Sequence, residues 1–305
     1  MFEPAGADEG RHPSTGHPLW EEAWHLDFAT GDGSFGGYVR LGILPNQGVS
    51  WVWTAIVGDG RRLVTVVEHE APIPRRGSLD LRCEGLWLDL VCEEPLRQWS
   101  AGLEAFGVAL DDPADALGDL RGERIGLGLD LGWETVGDAL GARGGGRYDL
   151  DCDVSGEVLI GDEVITFDGW GSRRHTWGLH DWWGEWTDMS AGRLDDDTRW
   201  NVHQTAVPGD GPCGGAITPP GGTPVVVSAW DSSDDGGLTS SGPFPTATHL
   251  ELDGFELRNE VRHLSPVPVV APDGRAGSVV HGLCQTSAAD GRTGAAWSTW
   301  SRPPG

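Results

Sequence analysis

Lysine is absent from the 305-residue chain, so all 21 basic side chains are arginines. That absence excludes a lysine Schiff base, pyridoxal phosphate anchored in the usual way, and a P-loop lysine. Positive charge is scarce as well: 47 acidic residues stand against those 21 basic ones, for a formal net charge of −26. A phosphate-backbone partner needs a basic face that displaces counterions, so nucleic acid is not an expected partner. No apolar run approaches the ~20 residues of a membrane helix, and no membrane insertion is expected. The opening MFEPAGADEGRHPSTGHP lacks the cationic start and apolar core of an export signal. Five cysteines, at 83, 92, 152, 213 and 284, include no C-x-x-C and no metal-ligand spacing. The expectation is a cytoplasmic chain with reduced thiols, no metal and no cofactor. Neither an H-E-x-x-H helix nor a nucleophile elbow is present.

What is abundant is tryptophan: 16, beside only two tyrosines. Such a chain builds large apolar walls that carry few polar handles. Apolar residues recur with period two, as half-buried strands require. Arg147 to Val154 alternates strictly, and Leu252, Phe255, Leu257, Asn259 and Val261 against Glu256, Arg258, Glu260 and Arg262 repeat the pattern. Glu157–Ile160 and Glu163–Phe167 flank Gly161-Asp162 as a hairpin, and a second hairpin turns at Asp195–Asp197. Further strands are expected at 24–28, 36–44, 49–58, 62–71, 98–110, 125–135, 225–230, 246–252 and 277–286. In 78–92 the apolar face changes at Gly85, which predicts a bulge or bend. One helix start is present, Asp112-Pro113, and it is too short to organise a fold. The fold class is therefore all-β, antiparallel, sandwich or barrel. The glycine-rich stretches 137–146 and 208–224 read as loops inside domains, and 231–245 is a third glycine-rich break.

Chemistry concentrates in 168–188, DGWGSRRHTWGLHDWWGEWTD. Trp170, Trp177, Trp182, Trp183 and Trp186 stand there with His175, His180 and Asp181. The segment either packs a junction between domains or lines a pocket with a titratable group aimed into it. Glu68-His69-Glu70 offers a second candidate. On a strand its two carboxylates share one face, where mutual repulsion would keep one of them protonated if the face were inward. Trp51 and Trp53 share a face, as core or as pocket wall. His203 lies with Asn201 and Thr205, either a ligand-orienting stripe or a solvent face. His25, opposite Trp24 and Leu26, reads as exposed.

At this point the motifs resemble a known family. The order G-E-V-x-x-G-D-E-x-x-x-F-D-G-W-G-x-R-R-H-T-W-G, then D-W-W, then G-R-L-D-D-D-T-R-W, looks like the two-domain lipocalin-like superfamily. It includes the carotenoid 1,2-hydratases (hydroxyneurosporene synthases), tocopherol cyclases, AttH-like proteins and fungal Diels–Alderases. GGYVRLGILPNQGVSWVWTAIVG (36–58), VVEHEAP (66–72), EGLWLDLVCEEPLRQWSAGLEAFGVALDDP (84–113) and SRRHTWGLHDWW (172–183) look like an uncharacterised actinobacterial branch. The resemblance implies two calycin-type β-domains, placed at 1–178 and 179–305, with a hydrophobic small molecule at their shared face. Hydratase-like members carry a carboxylate before the W-G pair, whereas Arg174-His175-Thr176-Trp177-Gly178 stands here.

Three functions compete on this reading. One is a cyclase or hydratase that protonates an isoprenoid-like or polyene substrate and steadies the cation on tryptophan faces. The second is a pericyclase that supplies only shape and orientation. The third is a carrier of a hydrophobic metabolite. For the enzyme, Asp181 is ranked first as acid, then Glu68 and Glu70, with His175 orienting the substrate or accepting the last proton. Trp51, Trp53, Trp170, Trp177, Trp182, Trp186 and His203 are expected to line the pocket.

Overall fold

The structure, a computed structural model, describes residues 3–141, 146–183, 186–206, 213–227, 230–235, 244–271 and 274–302. Two large antiparallel sheets account for nearly all of it. The first is built from β1 (Trp20–Ala29), β2 (Phe35–Leu44), β3 (Val49–Gly58), β4 (Leu63–Ala71), β5 (Leu81–Cys83), β6 (Leu86–Glu94), β7 (Gln98–Leu110), β8 (Glu123–Thr135), β9 (Leu140–Gly141), β10 (Arg147–Ile160) and β11 (Glu163–Leu179). Its order is β4-β3-β2-β1-β11-β10-β8-β7-β6-β5, and Leu63–Thr65 of β4 also pair with Val108–Leu110 of β7. That extra pairing closes a barrel through β4, β3, β2, β1, β11, β10, β8 and β7, from which β6 and β5 diverge as a flap. Closure removes the exposed edges that β4 and β7 would otherwise present.

The second sheet comprises β12 (Trp186–Leu194), β13 (Arg199–Ala206), β14 (Cys213–Thr218), β15 (Val225–Val226), β16 (Trp230–Asp235), β17 (Ala247–Leu252), β18 (Phe255–Val270), β19 (Ala276–Ala288) and β20 (Thr293–Arg302). It runs β15-β14-β13-β12-β20-β19-β18-β17-β16. Both expected hairpins are present: Ile160 pairs with Glu163 around Gly161 at φ +59°, and Arg193 pairs with Arg199. Asp112 caps a short 3-10 helix, Pro113–Leu117, by accepting from the Ala114 amide. Among the described residues no helix is long and apolar enough to cross a membrane.

Three sequence expectations shift. Gly85 is no bulge: at φ +72° it turns a tight hairpin between β5 and β6, a conformation glycine takes without a Cβ penalty. The glycine-rich stretches 208–224 and 231–245 each contain part of the sheet, β14 in one and most of β16 in the other. The third shift places the site. Every residue of β1 is buried, as is nearly every residue of β2 and β3, on both faces. Trp24, Leu26 and Phe28 fill the barrel, while the opposite face of the same strand is covered by the second sheet. Trp297 of β20 donates to the Phe28 carbonyl (3.1 Å), and Trp183 to the Val269 carbonyl (3.1 Å). His25, expected in solvent, is therefore buried.

Candidate functional site

Between the sheets lies a buried polar layer whose rows follow from strand register. Across β2, β1, β11 and β10, Arg40 pairs with His25, His25 with Arg174, and Arg174 with Asp149. Next to this row run Tyr38, Asp27, Ser172 and Asp151: Tyr38 is paired with Asp27, Ser172 with Asp151, and Ser172 binds Asp27. Facing them, Ser265, His281, Thr299, Met189, His203 and Gly214 form one row across β18, β19, β20, β12, β13 and β14. The rows meet directly. Tyr38 Oη is 2.9 Å from Ser265 Oγ, the Tyr38 and His281 rings are 4.4 Å apart, and Arg147 Nη1 reaches Met189 Sδ at 3.1 Å.

Buried charge survives only when paired or neutralised, and both solutions occur here. Asp149 is ionised: burial would raise its carboxyl, but Arg147 and Arg174, bonded to it at 2.7 and 2.8 Å, hold it far below the usual range. Asp27 has no such partner. Burial pushes its carboxyl up to about 6, against bonds from the Ser172 amide (2.7 Å) and hydroxyl (2.6 Å). Burial also pushes Asp151 up to about 7, against Arg199. The histidines move the other way. Burial and then the neighbouring His281 press His25 well below its ordinary value, while His281 and His203 each fall to about 3, chiefly through burial. Near neutral pH the layer thus holds neutral imidazoles beside a carboxyl poised to carry a proton.

Arg40 joins this layer to an aromatic one. Its guanidinium lies 4.3 Å over Trp53 and 5.2 Å over Trp182, and its Nη2 pairs with Glu21. The ion pair sits on Gly42, where a Cβ would come within 2.2 Å of Glu21 Oε1. Trp51 packs against Trp53 (5.8 Å) and Trp182 (6.4 Å), and Trp53 donates from Nε1 to His69 Nε2 at 2.9 Å. Two buried polar atoms here stay unmet among the described residues: the donor Arg40 Nη1, and His281 Nε2, whose sister Nδ1 contacts Thr299. Unmet buried polar atoms invite a polar ligand group.

The residues singled out from sequence fall in several places. Trp51, Trp53 and Trp182 come together in the aromatic cluster, and His203 belongs to the polar layer, its ring resting on Gly214. Trp170 packs between the sheets and donates to the Thr30 carbonyl at 3.3 Å. Trp177 and His175 lie on the barrel side of β11: His175 stacks on Trp24 (4.4 Å), and Trp177 packs against His12 (3.8 Å). Asp181 accepts from the Trp183 amide at 3.1 Å in the bend after β11. Glu68 lines a cavity of about 520 Å3 at the fork where β4 and β6 part along β7, and Glu70 is exposed. The Trp186 side chain lies outside the described residues. Sequence reasoning gave no role to Asp27, Arg40, Arg174 or His281. Their one trace is polar residues recurring on the outward side of otherwise apolar strands, which reads as solvent until a second sheet is known to cover it.

This architecture is shared. An AttH-like protein of Nitrosomonas europaea superposes with TM-score 0.66 at 13% identity, over 96% of this chain and 95% of that one. Kievitone hydratase from Nectria haematococca superposes with TM-score 0.63 at 11% identity, over 100% of this chain and 96% of that one. At such identities the likeness is one of fold. No curated protein matches the chain. Residues 5–304 match one family model, and the chain accordingly belongs to the family described as a domain of unknown function, DUF7064.

Proposed function

We propose that the chain is a cofactor-independent hydratase or cyclase for an isoprenoid-like or polyene substrate, working in the layer between its two sheets. The observation behind this reading is the pair Asp27 and His25, neighbours on one strand face whose proton affinities are driven in opposite directions by the same burial. In place of the carboxylates named from sequence, Asp27 is the acid we favour: buried, it is held neutral up to about pH 6. Asp27 gives its proton to an alkene carbon, and the cation passes to water or to an internal double bond. His25 takes the proton released by that water or by the cyclised cation. Transfer from His25 Nε2 to Asp27 Oδ2, 3.8 Å away, resets the pair, so that hydration consumes one water and cyclisation consumes none. Trp51, Trp53 and Trp182 supply an apolar wall, and aromatic faces favour a passing cation by ~0.5–2 kcal/mol each. The likeness to a kievitone hydratase and to an AttH-like protein supports a scaffold of this kind. The chain's place in the actinobacterial branch, and a division into domains at 1–178 and 179–305, belong to the same proposal.

Turnover of polyene and isoprenoid alkenes in deuterated water tests it. Deuterium at carbon in the product, lost in Asp27→Asn, is the expected result. Product without deuterium would point to pericyclic chemistry, and tryptophan quenching without turnover would point to a carrier; either outcome overturns the acid–base reading.

A further inference from the structure

The barrel face of β1 and β11, turned away from this chemistry, holds a cluster that the proposed reaction does not use. His12, on the segment before β1, Glu22 of β1 and His175 of β11 bring one ligating atom each to within 4.8 Å of the others. Glu22 and His175 point into the barrel, on the face of β1 and β11 turned away from His25 and Arg174. We propose that these three side chains bind one divalent transition-metal ion, of the zinc or ferrous class, which fastens the N-terminal segment across the barrel mouth.

The donor set is that of a site with two imidazoles and one carboxylate, leaving positions for water. Its orientation is already built. The His175 Nδ1 is 2.8 Å from the Asp8 carbonyl, which can only accept, so Nδ1 carries the hydrogen. The lone pair of a neutral His175 ring then lies on Nε2, aimed at Glu22 Oε1 at 3.1 Å. Two acceptors face each other there, and a positive centre between them resolves the conflict. His12 repeats the pattern: Nδ1 is 2.8 Å from the same Oε1, and Nε2 is 3.5 Å from Asp8 Oδ1. Asp8 thus stands at the outer nitrogen of both rings, bonded to His175 through its backbone carbonyl and 3.5 Å from His12 through its carboxylate. Metal-binding histidines are held in this way.

The rings are also fixed sideways. His175 stacks on Trp24, and His12 lies on Trp177 with an interplanar angle of 4°. With metal–ligand bonds of about 2.0–2.1 Å, adjacent donors stand ~3.0 Å apart in octahedral and ~3.3 Å apart in tetrahedral geometry. The 2.8 and 3.1 Å from the two imidazoles to Glu22 Oε1 lie within a few tenths of an ångström of those values, and all three ligand atoms stand within 4.8 Å of one another. The His12 side chain keeps 18% of its surface exposed, which gives an ion a way in. Sequence spacing could not reveal the site, because Glu22 stands 10 residues from His12 and 153 from His175.

The test uses the full chain, stripped with a chelator and titrated with Co2+, then with Zn2+ as competitor. One Co2+ per chain, with visible ligand-field bands that Zn2+ bleaches, is the expected result. Binding should weaken at least tenfold in His12→Ala and in Glu22→Gln, whose folding is checked by circular dichroism without metal. Zn2+ should raise the Tm of the wild-type chain and leave that of His12→Ala unmoved. Wild-type binding no tighter than that of His12→Ala, or Co2+ bound without ligand-field bands, would mean that a proton alone bridges these groups and would overturn the proposal.

Discussion

Asp27 Oδ2 and His25 Nε2 lie 3.8 Å apart, both buried on the covered face of β1, and their proton affinities have moved toward each other. In solution the imidazole binds a proton far more tightly than the carboxylate does. Here burial disfavours both charged forms, which raises the acid and lowers the base, so the imidazole loses the preference for the proton that it has in solution. Such a pair is suited to passing one proton out and taking one back.

A pH–rate profile of the hydratase or cyclase reaction should therefore fall as pH rises through about 6, the range in which Asp27 loses its proton. Asp27→Asn should lower kcat by at least ~10²-fold, the usual contribution of a positioned acid. Rates unchanged above pH 7 would remove Asp27 from the role.

Stability carries the same signature with a defined sign. The folded carboxyl at about 6 lies above its ordinary value of 3.8, so the folded chain holds the proton more tightly. The contribution is fully present below pH ~4 and disappears as pH rises through about 6, a change of roughly 3 kcal/mol. Compared by urea unfolding, wild type should lose that much relative to Asp27→Asn between pH 4 and pH 7. Parallel curves for the two proteins would contradict it.

Gly42→Ala places a methyl against Glu21 Oε1 and Arg40 Nη1. The strand backbone tolerates alanine, so the effect reports on the ion pair and the tryptophans beneath Arg40. A loss of ~1–3 kcal/mol, typical of overpacking, is expected in thermal unfolding, with a changed tryptophan emission spectrum.

Glu9 anchors the N-terminal segment inside the barrel. Its carboxylate accepts from Arg173 twice, each at 3.0 Å, from Tyr148 Oη (2.6 Å) and from the Leu96 amide (2.7 Å). Burial raises its pKa, but those four donors win and hold it below normal. Glu9→Ala would leave Arg173 buried and unpaired, a loss of ~3–5 kcal/mol. Faster proteolysis of residues 3–12 than in wild type would report the release directly.

The strand pattern was readable because period two is written locally: Gln98–Leu110 begins and ends where the alternation does. Trp51, Trp53 and Trp182 were readable for a similar reason, since large aromatic side chains have few places to go. What escaped was the partner of each face. His25 alternates with Trp24 and Leu26 just as an exposed residue would, and only a sheet starting some 160 residues later decides otherwise. Pairings such as Arg174 with Asp149 depend on register across β10 and β11, which no local pattern records. His175 drew notice for its tryptophan-rich surroundings, yet its contacts, Asp8 and Glu22, lie more than 150 residues away.

The double burial of β1 has a consequence for how this chain tolerates change. β7 alternates covered and open positions, so about half its side chains are at liberty to vary. β1 has no permissive side: an odd position disturbs the polar layer and an even one the barrel filling. A saturation library across Trp20–Ala29 would show intolerance without periodicity, and drift in this family would be forced out to the flap and the turns.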